Sequence, residues 1–151
     1  MAAPIFSPRL FSLREANALV PTLHQQFTKA RALRERIGKL QKELHEAGSS
    51  LDTARVEVDP RASPMVQGLQ RRASMLVAEL LELLSGVSEL GVEVKAAEGL
   101  CDFRSRHAGR VVYLCWKFGE DGVSTFHELD AGYPGRRPLP EDGAFDGDWL
   151  H

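Results

Sequence analysis

Nothing in this chain is present to excess, and what is scarce narrows the field first. Only two cysteines occur among 151 residues, Cys101 and Cys115, and their separation matches no disulfide framework. They read as reduced thiols. Charge of neither sign dominates: 19 Lys and Arg against 21 Asp and Glu leave a formal net charge of -2. No global basic field is available to attract nucleic acid or anionic lipid. Nowhere does the chain approach the roughly 18 uncharged apolar residues of a membrane span. The opening "MAAPIFSPRLFSL" has no apolar run of signal-peptide length, and prolines interrupt it. These absences give the expectation of a cytoplasmic protein with no membrane partner and no nucleic-acid partner. What remains, 43% hydrophobic and 26% charged, suits one domain over 1–151 that buries a core without staples.

The first half is periodic at the helical spacing. In "FSLREANALVP", Ser12 and Glu15 stand at capping-box spacing, each able to satisfy the other's backbone N–H. Apolar residues then recur every three or four positions: Leu13, Ala16, Val20, Leu23, Phe27, Ala30, Ile37, Leu44. Pro21 predicts a kink or a short leading helix. A Gly-, Ser-, Asp- and Pro-rich stretch marks a loop over about 47–64. A second seam follows through Val66, Leu69, Ala73, Leu76, Leu80, Leu83, Val87 and Leu90. Two long helices joined by one loop fold back as an antiparallel hairpin over 11–90, resembling a short coiled coil. Leu19, Leu33 and Leu40 form a surplus stripe on the first helix, as do Val77, Leu81 and Leu84 on the second. That surplus is expected to meet the C-terminal sheet and a second copy of the chain, giving a homodimer. Lys39, Lys42, Arg71 and Arg72 are read as solvated surface near the hairpin tip.

Beyond Gly91 the period falls to two. "VEVK", "LCDF", "VVYLCWKF" and "STFHEL" predict short strands over 91–137, the first two only partly paired, with a loose acidic tail over 138–151 in which Trp149 is available to dock. The fold class is therefore α+β: a helical hairpin followed by a small antiparallel sheet. Because side chains alternate faces, the hairpin through "GEDG" decides which residues meet. A two-residue turn at Asp121-Gly122 sets Cys115 opposite Glu128 and Trp116 opposite His127. A three-residue loop pairs Gly119 with Val123, setting Cys115 across from His127 and Trp116 against Phe126. The second arrangement puts Val112, Leu114, Trp116, Phe118 and Phe126 on the buried face, at the cost of also placing Glu128 there, and is preferred.

A cysteine and a histidine facing each other can hold zinc or iron, or form an activated thiolate, with Asp102, Glu128 or His107 completing the set. No CxxC or His-x-His spacing supports this, and a strand cysteine is more often a small core residue. A His-Glu pair at a strand end is likewise more often a surface pair. In "GYPGRRPLP", a type II turn at Pro134-Gly135 with Gly135 at positive φ would aim Arg136 or Arg137 back at the strand of His127. There an arginine forks onto a small anionic ligand, or pairs with Glu128 or Asp130.

Four segments, "FSLREANALVP", "GVEVKAAEGLCDF", "GRVVYLCWKFGED" and "FHELDAGYPGRRPL", resemble together an uncharacterised prokaryotic family, the domain of unknown function numbered 2203. The resemblance runs from about Phe11 to Leu139. Its matching positions are Asp102, Phe103, Cys115, Trp116, His127, Glu128, Gly135 and Arg136, with Phe126 keeping the aromatic class expected before the histidine. Cys101 departs from the aliphatic residue the pattern implies and is set aside as a ligand. The resemblance implies where a site lies but no activity. Two functions are carried forward. The first is a non-enzymatic binding or assembly module dimerising through the hairpin, with Arg136, Asp102 and Glu128 as ligand-binding residues. The alternative is a metal- or thiol-dependent enzyme, with Cys115 and His127 on zinc or iron and Glu128 moving protons.

Overall fold

The computed structural model describes residues 8–49 and 57–147; Trp149 and the middle of the interhelical loop lie outside them. Helix α1 (Leu13–Glu46) and helix α2 (Pro64–Glu89) are followed by strands β1 (Glu93–Ala96), β2 (Leu100–His107), β3 (Arg110–Lys117), β4 (Thr125–Glu128) and β5 (Arg137–Pro138). The capping box forms as its spacing predicts. The Ser12 N–H donates to Glu15 Oε1 at 3.0 Å and the Glu15 N–H to Ser12 Oγ at 3.1 Å. Pro21 lies inside α1, and no separate leading helix forms.

The chain divides into two compact units, residues 28–86 and the remainder. In the first, Leu33, Ile37 and Leu40 of α1 pack with Ala73 and Leu76 of α2, while Leu69, Val77, Leu80 and Leu83 are partly buried against them. Ser63 caps α2 through the Val66 N–H at 3.2 Å. Here the expectation of a surplus stripe on α1 needs correction. Leu33 and Leu40 are only 6% and 4% exposed, because the hairpin buries a face wider than one seam. On α2, by contrast, Leu81 remains 61% exposed.

The second unit joins the start of α1 to a five-stranded antiparallel sheet in the order β1-β2-β3-β4-β5. Strand β2 extends four residues beyond its sequence signal, whereas β4 is shorter than expected. Rather than pairing in part, β2 pairs along its whole length with β3 through a two-residue turn in which Ala108 and Gly109 have φ of 51° and 78°. One face carries Cys101, Phe103, Ser105, Val112, Leu114, Trp116 and Phe126, all buried. Phe11 meets Phe103 edge-on and Phe27 of α1 leans on Trp116, so α1 roofs this face. Toward the end of the chain Phe145 is buried, stacked on His107, and Asp146 bridges to Arg106 of β2.

Neither expected register of the β3–β4 hairpin forms. Val112 pairs with Glu128, Tyr113 with His127, Leu114 with Phe126 and Cys115 with Thr125. The connection 118–124 is longer than either expected turn because side chains occupy its backbone. The Val123 N–H, which both turns would pair across the hairpin, donates instead to Asn17 Oδ1 at 2.8 Å. Trp116 Nε1 donates to the Glu120 carbonyl, and the Lys117 N–H donates to Glu120 Oε1. The difference from the preferred register is an even step, so Cys115 and His127 still share a face. They lie diagonally rather than directly opposite.

Candidate metal centre on the polar face of the sheet

The face of the sheet turned away from Phe11 and Phe27 carries polar side chains: Glu93 on β1, Asp102 and Arg104 on β2, Tyr113 and Cys115 on β3, Thr125 and His127 on β4. Asp102 pairs directly with Cys115, and His127 stands one diagonal step away. The Sγ of Cys115, one carboxylate oxygen of Asp102 and one ring nitrogen of His127 all lie within 4.8 Å of one another. All three residues are buried, at 0%, 3% and 1% exposure. A polar trio so deep is expensive unless each member is satisfied.

Hydrogen bonds show how it is satisfied. His127 Nδ1 lies 2.8 Å from the Glu128 carbonyl oxygen, which can only accept, so Nδ1 carries a hydrogen and donates. His127 Nε2 then faces Asp102 Oδ1 at 3.1 Å. Two electron-rich atoms at that distance need a positive centre between them, either a proton or a metal cation. The Cys115 thiol also hydrogen-bonds to Asp102, and burial, reinforced by the Asp102 charge, pushes its pKa up to about 12. Such a thiol is no free thiolate nucleophile, whereas coordination to a metal would deprotonate it.

The walls are charged and braced. Tyr113, whose ring lies 5.4 Å from that of His127, donates its hydroxyl to Glu93 Oε1 at 2.9 Å. Burial alone would raise the Glu93 carboxyl, but hydrogen bonds from Tyr113, Lys95 and Arg104 outweigh it and hold the group below its usual value. On the other side Arg136 closes over Thr125, the cross-strand partner of Cys115. Its Nε donates to Thr125 Oγ1 at 2.7 Å and its Nη2 to both carboxylate oxygens of Glu120, at 3.0 and 2.7 Å. Arg136 is delivered by a 3-10 turn, Tyr133–Gly135, and not by the expected type II turn. The left-handed residue is Gly132, at φ 65°. Gly135 is required for room instead, since a Cβ there would meet the Ala131 Cβ at 2.6 Å.

Of the residues singled out from sequence, Asp102, Cys115 and His127 come together with Arg136 beside them. Glu128 does not join them; it sits on the opposite face, paired with Arg110 at 2.6 Å and Arg137 at 2.9 Å. His107 is also on that opposite face, bonded to the Ala144 carbonyl. Cys101 is core beneath α1, its thiol raised to about 12 chiefly by burial. Sequence reasoning overlooked Glu120, Thr125, Tyr113 and Glu93. For the Asp102–Cys115 pair a signal was present: a two-residue turn at Ala108-Gly109 sets those residues opposite each other by counting back along both strands. Glu120 carried no such signal, being indistinguishable from any turn carboxylate.

Over residues 9–139 the chain matches the family described as Uncharacterized conserved protein (DUF2203). No curated protein and no solved structure matches it.

Proposed function

The chain belongs to the DUF2203 family, and from that premise we propose that it holds one divalent metal ion of the zinc or iron(II) type between Asp102, Cys115 and His127. Thiolate, imidazole and carboxylate together form a set of borderline softness suited to these ions rather than to calcium or magnesium. The observation that carries the reading is the orientation of His127. Its Nδ1 is committed to a backbone carbonyl, the outer-shell contact that metal-ligating histidines make, and its Nε2 points into the cluster. The metal would take the place of the proton between His127 and Asp102 and of the proton on Cys115.

Elemental analysis of protein purified without a metal-affinity column tests this. Near-stoichiometric zinc or iron is expected, with affinity falling by at least ~tenfold in Cys115→Ser while the circular dichroism stays unchanged. Glu128→Gln is expected to keep its metal, since that side chain lies on the other face. Protein that carries no metal and takes up no zinc at equilibrium in calorimetry would overturn the proposal.

A second reading concerns assembly. A homodimer through α2 is proposed on one observation: Leu81 is 61% exposed beside a groove lined by Val77, Leu80, Ile37, Arg34 and Gln41. A second copy presenting the same strip would cover it isologously.

A further inference from the structure

Resting on that metal reading, we infer that the bound ion keeps a fourth position for an exchangeable ligand, and that this ligand is a small carboxylate received by Arg136. Among the described residues, the cluster of His, Cys, Asp and Glu side chains able to share an ion has three members. Three protein donors leave a tetrahedral ion one position short, and in proteins that position is taken by water or a substrate. A closed structural site supplies all four ligands itself.

The class of ligand follows from what borders Cys115. Thr125 stands directly across from it and donates its hydroxyl to the Cys115 carbonyl at 3.3 Å. The guanidinium of Arg136 is fastened to that same Thr125 hydroxyl through Nε at 2.7 Å. The Arg136 side chain is only 13% exposed, so water screens its charge weakly. A partly buried guanidinium presents a planar fork that matches a carboxylate. Its present partner is one: Glu120 offers both oxygens to Nη2, and Glu120 itself is 30% exposed on the loop 118–124. Glu120 thus acts as an internal competitor for Nη2 of the guanidinium. An incoming carboxylate would replace Glu120 on the guanidinium and would take the fourth position of an ion held by Asp102, Cys115 and His127. No covalent bond within the ligand is made or broken.

Cobalt(II) substituted into the full chain reports this, because its visible ligand-field bands depend on coordination number and its thiolate charge-transfer band reports Cys115. Acetate is titrated at constant ionic strength against chloride. The expected result is a saturable shift of the visible bands with acetate and none with chloride. Arg136→Gln should raise the acetate dissociation constant at least ~tenfold while the charge-transfer band persists, through loss of a charge-assisted fork. If Arg136→Gln fails to fold, Arg136→Lys keeps the charge, removes the fork and should weaken acetate in the same direction. Glu120→Gln, which removes the competitor, should tighten acetate binding. Cobalt bands that ignore acetate would overturn this inference and leave the metal site standing. Absence of any thiolate charge-transfer band would remove the metal reading and this inference with it. An unchanged acetate affinity in both Arg136 variants would refute the role of the guanidinium.

Discussion

Single side chains decide how firmly the polar face is held, and Glu93 is the clearest case. Its carboxylate accepts from Tyr113 Oη at 2.9 Å, Arg104 Nε at 2.7 Å and Lys95 Nζ at 3.2 Å, and it stands across from Asp102 on the neighbouring strand. Because these bonds lower its pKa from 4.5, the charged form is favoured in the folded chain. The stabilisation is therefore complete above the unfolded value and disappears as pH falls through the lower, folded one. Glu93→Gln should cost ~0.5–1 kcal/mol near neutrality, a figure discounted because the side chain is 33% exposed. Urea unfolding at a series of pH values checks it. The gap between the two proteins should be flat at neutral pH and narrow below about 4.5. A gap that instead widened in acid would contradict the assigned bonds.

At the scale of elements, the sheet depends on turns whose backbones are held by groups outside the turn. Between β1 and β2, Gly99 has φ 114°, and its carbonyl accepts from the Phe118 N–H at 2.7 Å. A Cβ at this position would lie 2.5 Å from the Phe118 Cβ and 3.3 Å from the Phe27 ring. Gly99→Ala combines an unfavourable backbone region with a collision against an aromatic layer, and should cost ~2–4 kcal/mol. Chemical denaturation would register that as a lowered midpoint with little change in slope. A loss under ~0.5 kcal/mol would mean that Phe118 yields freely. The 118–124 connection follows the same rule. Asn17 of α1 takes the Val123 N–H, and a Cβ at position 122 would stand 2.9 Å from the Asn17 oxygen, so glycine leaves that oxygen room.

At the scale of the whole molecule, the proposed homodimer is a matter of the apolar surface on the helices. Surplus apolar residues on both helices predict a dimer. On α1 Leu33 and Leu40 are consumed within the hairpin, which leaves Leu81 of α2 as the exposed leucine of that surplus. Leu81→Glu should shift a dimer to monomer in light scattering at micromolar concentrations without loss of helical signal, since 61% exposure makes the charge harmless to a monomer. Equal masses at the monomer value for both proteins would remove the homodimer. The metal test is independent of this one, because the ligands lie on the sheet and Leu81 lies in the other compact unit.

Local physics determined much of this protein from sequence alone. The apolar period of three to four and the Ser12–Glu15 spacing specify α1, and the period of two specifies strands on which Cys115 and His127 share a face for any even register. The Ala108-Gly109 turn was enough to oppose Asp102 and Cys115. Tertiary structure alone decided the rest. The β3–β4 register forms with the Val123 N–H taken by Asn17, a residue from the start of α1 and far away in sequence. That register paired Glu128 with Val112, within reach of Arg110, and the longer connection brought Glu120 to Arg136. Periodicity is a property of neighbours along the chain, so sequence can assign a residue to a face. Which residue meets it across the sheet depends on hydrogen bonds closed from far away in sequence, and these exist only once the helix has docked.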